Sequence, residues 1–167
     1  FEVDRSRDGG TFTTRRVVAV QNGKQIFNLA ASFQVVEEGF EHQADMDQVP
    51  DPDGLPDEFE QRIKGMQNVS EELRKMMLRP RPIEMRSVEG DAFSATGPRP
   101  AKNSVWFRAR APIGEDAHMH QVILAYASDM NMLSTAMRPH NVHWDTPGLQ
   151  SASLDHAMWF HKPTNFN

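Results

Sequence analysis

TFTTRRVVAVQNGKQIFNLAASFQVV, residues 11–36, holds two runs of period-two sequence hinged on Asn22-Gly23. Asn-Gly is the favoured two-residue hairpin turn because both central positions take positive φ. Beyond it Phe27, Leu29, Ala31, Phe33 and Val35 recur at every second position and share one face of a strand. Asp8-Gly9-Gly10 marks another turn upstream, so residues 1–36 read as a three-stranded antiparallel meander. A meander with one apolar face is not stable alone, so a helix or a second sheet is expected to cover it.

Working outward, residues 37–56 form a connection rich in Asp and punctuated by Pro50, Pro52, Gly54 and Pro56. Residues 57–77 read as helix in two pieces broken near Gly65. Phe59, Ile63 and Met66 stripe the first piece, and Val69, Leu73, Met76 and Met77 the second. Ser70 is the expected N-cap of the second, with Glu71 and Glu72 in its first turn. Arg79-Pro80-Arg81-Pro82 stops it, since proline disfavours helix at the preceding residue. These Arg-Pro pairs read as a solvated hinge, with a site for acidic phosphates as the sharper alternative.

Strands are expected at 83–89 and 105–111, separated by a Gly/Pro/Ser loop at 90–104. Trp106 and Phe107 point to opposite faces, which predicts cover on both sides of the second strand. Residues 117–137 follow as a long helix with Asp116 as N-cap and Pro139 beyond its end. Its run VILAYA, 122–127, is apolar around the whole circumference, which predicts a helix enclosed by protein. A loop through His140, His143, Pro147 and Gly148 leads to QSASLDHAMWFH, residues 150–161, read as a further strand.

A chain of 167 residues accommodates one ordinary domain or two very small ones. The net charge is −5 and the basic residues are scattered, so neither nucleic acid nor an anionic membrane is an expected partner. With no cysteine, disulfide and thiolate chemistry are excluded, and a cytoplasmic setting is expected. No apolar run approaches the roughly 20 residues that span a bilayer, and no signal peptide is visible. The chain opens at Phe1 already in strand-like sequence and stops at TNFN, 164–167, with no closing element, and so reads as an internal piece of a longer protein.

Six of the seven histidines fall between His118 and His161. His118 and His120 open a helix, where residues two apart lie on different sides, and His140 and His143 sit in a loop that constrains little. Neither spacing specifies converging ligands, so no metal and no cofactor is expected. Ser153, Asp155 and His156 have the residue types of a hydrolase triad, but neighbours on a strand point to opposite faces and no G-x-S-x-G elbow exists. Glycine-rich nucleotide-binding motifs are likewise missing. Asp155 remains, a carboxylate set among Leu154, Met158, Trp159 and Phe160. It reads as a buried structural carboxylate capping a backbone amide, as a solvent-facing strand residue, or as a general base toward water, a role that partial burial in an apolar pocket would suit.

Several stretches carry a resemblance that runs the length of the chain. RDGGTFTTRRVVAVQNGKQIFNLAASFQ (7–34), GFEHQADMDQVPDPDGLP (39–56), RPIEMRSVE (81–89), VWFRARAPI (105–113), HQVILAYASDMNMLSTAMRPH (120–140) and SLDHAMWFHKP (153–163) resemble, in order and spacing, the acyl-CoA thioesterase II family. That resemblance implies an α+β fold of the hotdog type, an antiparallel sheet wrapped around a long central helix, with parts of two tandem units. Residues 1–36 would be late strands of the first unit, 37–82 a linker with helical segments, and 83–167 the first half of the second unit. The implied activity is hydrolysis of fatty acyl-CoA to free acid and CoA without a metal or covalent intermediate. Asp155 stands at the family's catalytic aspartate, whose Thr or Ser and Gln partners would lie beyond residue 167. A homo-oligomer is the implied assembly. The competing readings are a non-catalytic acyl-CoA-binding module and an inactive piece lacking those partners.

Overall fold

The computed structural model describes residues 1–66, 69–90, 96–144 and 146–167. Parts of the expected break between the two helical pieces, of the 90–104 loop and of the 140–148 loop lie outside the described residues. The chain forms two compact units, Phe1–Met46 and Asp47–Asn167, so the first reaches past the boundary expected at residue 36.

In the first unit, β1 (Glu2–Asp8), β2 (Phe12–Gln21) and β3 (Lys24–Gln34) form an antiparallel sheet in the order β1-β2-β3. Asn22 (φ 52°) and Gly23 (φ 75°) make the turn that their sequence dictates, closing on the Gln21–Lys24 pair. At the other turn the Gly9 N–H donates to Phe12 O at 3.0 Å. A Cβ at Gly9 would lie 2.7 Å from that carbonyl oxygen, so only glycine fits. The β2–β3 register shifts between Ala19 and Val20, a bulge that bends the pair. Ala19 is the one buried residue of the three strands. The expected cover over the apolar face is not supplied within this unit: Phe27 and Phe33 are 52% and 56% exposed. The two edges differ in chemistry, with Glu2, Asp4, Arg5, Arg7 and Asp8 on β1 and Ile26, Phe27, Leu29 and Phe33 on β3.

The second unit opens with a 3-10 turn at Pro52–Gly54, then α1 (Glu58–Gly65) and α2 (Glu71–Met77). The Asp57 carboxylate caps α1 by accepting the Phe59 N–H at 2.8 Å, and Ser70 Oγ caps α2 from the Leu73 N–H at 3.3 Å. β4 (Ile83–Ser87) and β5 (Val105–Ala109) pair antiparallel, with Met85 opposite Phe107. α3 (Ala117–Ser128) is capped by Asp116, and α4 (Met132–Met137) precedes a 3-10 turn at Arg138–His140 that contains Pro139. Ile83, Met85, Ala127 and Phe166 are the centre of the core, with Phe107, Ile123 and Leu124 packed against them. Trp106, on the other face of β5, is half-buried and donates to Pro50 O at 3.1 Å, so both faces carry partial cover.

Four expectations are corrected. The long helix breaks after Ser128, because Asn131 takes the left-handed region (φ 72°) and ends the α-helical path. The first part of that helix is not enclosed: His120 and Ala127 face the core, while Val122 and Tyr126 are 62% and 53% exposed. Residues 150–161 form no strand, because no described segment pairs with them in a ladder. On α1, meanwhile, the buried side is Glu58 and Arg62, continued by Met66 at its C-cap; of the expected stripe Met66 is buried, Phe59 half-buried and Ile63 exposed.

Candidate active site

Asp155 lies in the non-ladder segment and is exposed, as are its neighbours Leu154, Trp159 and Phe160. The apolar pocket expected around the carboxylate is therefore not formed by the described residues. A strand that lacks partners on both edges has nothing to hold its side chains against a core.

The residue after it is anchored. The His156 ring Nε2 lies 3.0 Å from Ser128 Oγ at the end of α3, and its Nδ1 lies 3.8 Å from Asp129 Oδ1. Ser128 Oγ gives its only proton to Ala125 O at 2.8 Å, so the ring nitrogen is the donor to the hydroxyl. A serine nucleophile needs the reverse polarity, and the Asp129 contact is too long for a hydrogen bond. These three residues are thus a tether from the α3 terminus to the backbone beside Asp155, not a triad. Ser153 stands exposed and apart from it.

The histidine pair at the start of α3 is divided. His118 is exposed, whereas His120 is buried, with Nδ1 accepting the Phe166 N–H at 3.1 Å and Nε2 at 3.0 Å from Gly114 O. Both ring nitrogens are satisfied by backbone, which fixes the Nε2–H tautomer. Among the described residues no group of three or more His, Asp or Glu converges as a metal would require, and no helix is long and apolar enough to cross a membrane.

A second feature is a cavity of about 210 Å³ within the second unit, lined by Arg62, Arg81 and Arg138 with Glu58, Asn103 and Ser134 among other residues. No residue of 150–161 lines it. Of its basic residues only Arg81 drew notice in the sequence, through the Arg-Pro pairs. Arg62 and Arg138 carry no local signal, because their burial depends on distant packing.

Comparison with known proteins gives one consistent result. The sequence pattern that defines the family described as acyl-CoA thioesterase matches residues 81–167. "Acyl-CoA thioesterase 2" of Haemophilus influenzae is 34% identical over 168 residues, covering 100% of this chain and 58% of its own length. "Acyl-coenzyme A thioesterase 8" of Rattus norvegicus is 38% identical over 172 residues, covering 98% of this chain and 53% of its own length. Among solved structures, an acyl-CoA thioesterase II, TesB2, from Mycobacterium marinum is similar with a TM-score of 0.58 and 37% identity, over 83% of this chain and 46% of that one. A tesB protein of Mycobacterium avium subspecies paratuberculosis has the same TM-score at 22% identity, a likeness of fold. The chain spans about half the length of the curated relatives it matches. Its α+β arrangement of antiparallel sheets and helices is part of the hotdog fold of these neighbours.

Proposed function

The chain belongs to the acyl-CoA thioesterase family, and on that premise we propose that the protein carrying it hydrolyses fatty acyl-CoA to free fatty acid and CoA, with Asp155 as general base. The observation that carries this reading is the family match over 81–167, which includes SLDHAMWFH and its single carboxylate. In the proposed step a water hydrogen-bonded to Asp155 attacks the thioester carbonyl while its proton passes to the carboxylate. The tetrahedral intermediate collapses, the C–S bond breaks, and the proton on Asp155 returns to the departing CoA thiolate. The His156 tether to Ser128 supports the assignment, since it steadies the backbone from which Asp155 projects.

A homo-oligomer and cytoplasmic residence belong to the same proposal. The exposed Phe27 and Phe33 of β3 support the first, because such a face gains from cover, and a chain free of cysteine supports the second.

The test is thiol trapping during incubation of palmitoyl-CoA with the full-length protein and with Asp155→Asn. Thiol release by the wild type and a loss of roughly 10²–10⁴-fold in the variant are expected. Because Asp155 is exposed, the variant should fold as the wild type does. Wild-type turnover in Asp155→Asn removes the residue from the mechanism. The exposure of Asp155 favours one alternative, a non-catalytic acyl-CoA-binding module, which predicts saturable binding with no thiol released.

A further inference from the structure

We propose that the cavity bounded by Arg62, Arg81 and Arg138 is an oxyanion site that takes a phosphate group. Among the described residues three guanidiniums and one carboxylate, Glu58, line it, and the carboxylate pairs with Arg62 at 2.9 Å. Arg81 feels the Glu58 carboxylate only through space, and Arg138 is only 7% exposed. Among the described residues Arg138 is hydrogen-bonded to neutral oxygens, its Nε donating to Pro100 O and its Nη1 to Asn103 Oδ1, both at 3.3 Å. Of the five N–H donors on a guanidinium, these long bonds use two.

Burying a charge without a matched partner is unfavourable by several kcal/mol, and a bound anion is the direct way to offset it. Desolvation, followed by the proximity of Arg62, lowers the Arg81 value from that of a free guanidinium. Desolvation, followed by Arg99, does the same at Arg138. At Arg81 the Glu58 carboxylate, and at Arg138 the Glu89 carboxylate, offsets only part of this, and both groups stay ionised at neutral pH. Ser134 and Asn103 add neutral polar groups to the wall, the mixture that a tetrahedral oxyanion with several acceptor oxygens uses. At about 210 Å³ the space suits one phosphate group and its near neighbours, and falls below the roughly 300–1,000 Å³ of sites that enclose a whole drug-sized ligand. Arg81 belongs to the Arg-Pro pairs, whose sharper reading from sequence was a phosphate site, and it reaches the cavity wall.

This inference is independent of the hydrolytic reading, because it is tested by binding without turnover. Inorganic phosphate is titrated calorimetrically into the full-length protein at constant ionic strength, with chloride as the balancing anion. Saturable one-site binding is expected, weakened about ten-fold or more in Arg138→Gln and in Arg81→Gln. Arg81 is only half-buried, so its variant reads the site even where the loss of Arg138 unfolds the chain. Competition then identifies the source of the group. Displacement of phosphate by CoA but not by dephospho-CoA assigns the pocket to the ribose phosphate, displacement by both assigns it to the pyrophosphate, and displacement by neither leaves free phosphate as the ligand. Absence of saturable heat in the wild type, or unchanged affinity in a folded Arg81→Gln, overturns the proposal.

Discussion

The backbone N–H of Phe166 donates to Nδ1 of His120 at 3.1 Å, joining positions 46 residues apart. The same residue closes on β5, where the Ala109 N–H donates to Phe166 O at 2.7 Å, while its ring fills the core beside Ile83 and Ala127. Phe166→Ala therefore removes a buried ring and loosens both backbone bonds. A loss of roughly 3–5 kcal/mol is expected in urea unfolding of the full-length protein. His120→Phe keeps bulk but leaves the Phe166 N–H and the Gly114 carbonyl without their ring partner, and should cost about 1–3 kcal/mol for each group left buried and unsatisfied. Equal stability of His120→Phe and the wild type would show that the imidazole is only a space filler.

Glu84 is a buried carboxylate on β4 that accepts from Arg86 Nε at 2.6 Å and Arg108 Nε at 2.9 Å. Burial pushes its pKa up, but the hydrogen bonds and charges of the two arginines outweigh burial and hold it below the ordinary value. A carboxylate whose folded value is depressed contributes stability that is complete above its unfolded value, about 4.3, and is lost as pH falls through the folded one. Glu84→Gln should thus lower stability by about 2 kcal/mol at pH 7. The gap between variant and wild type should begin to narrow below about pH 4, the unfolded value, and go on narrowing as the pH falls through the folded one in a series of thermal melts. A gap that stays constant from pH 7 to pH 3 would rule out the charge of Glu84 as its origin.

Glu58 and Arg62 form a buried i,i+4 pair at 2.9 Å. Breaking such a pair from one side costs more than replacing both members, because a lone buried charge remains. Glu58→Gln is expected to destabilise by about 3–5 kcal/mol, whereas Glu58→Met with Arg62→Met should lie near the wild type. Denaturant midpoints of Glu58→Met, of Arg62→Met and of the double variant give the coupling directly. Additive losses would mean that the two side chains do not act as a pair.

What could be read from the sequence was local. Asn22-Gly23 fixes its turn by its own backbone preference, and Ser70 and Asp116 cap helices through bonds two or three residues away. The features that escaped were set by distant neighbours. Arg62 is inside because Glu58 answers its charge, which a search for apolar stripes passes over. The break at Asn131 falls inside a run whose hydrophobicity alone gives no stop. Asp155 stood out as the lone carboxylate of its segment, but its exposure follows from the absence of a pairing strand, which no period within 150–161 could reveal.

The two edges of the β1–β3 meander have a bearing on how the chain behaves at high concentration. A charged strand repels an incoming backbone, whereas an apolar one with free N–H and C=O groups is a template for another strand. β1, with both signs of charge along it, is closed to such growth, and β3, bearing Ile26, Phe27 and Phe33 and paired only with β2 among the described residues, is open. Self-association of the exposed meander into ordered aggregates consequently has a direction: it starts from the β3 side, and a single lysine placed there would act as its gatekeeper.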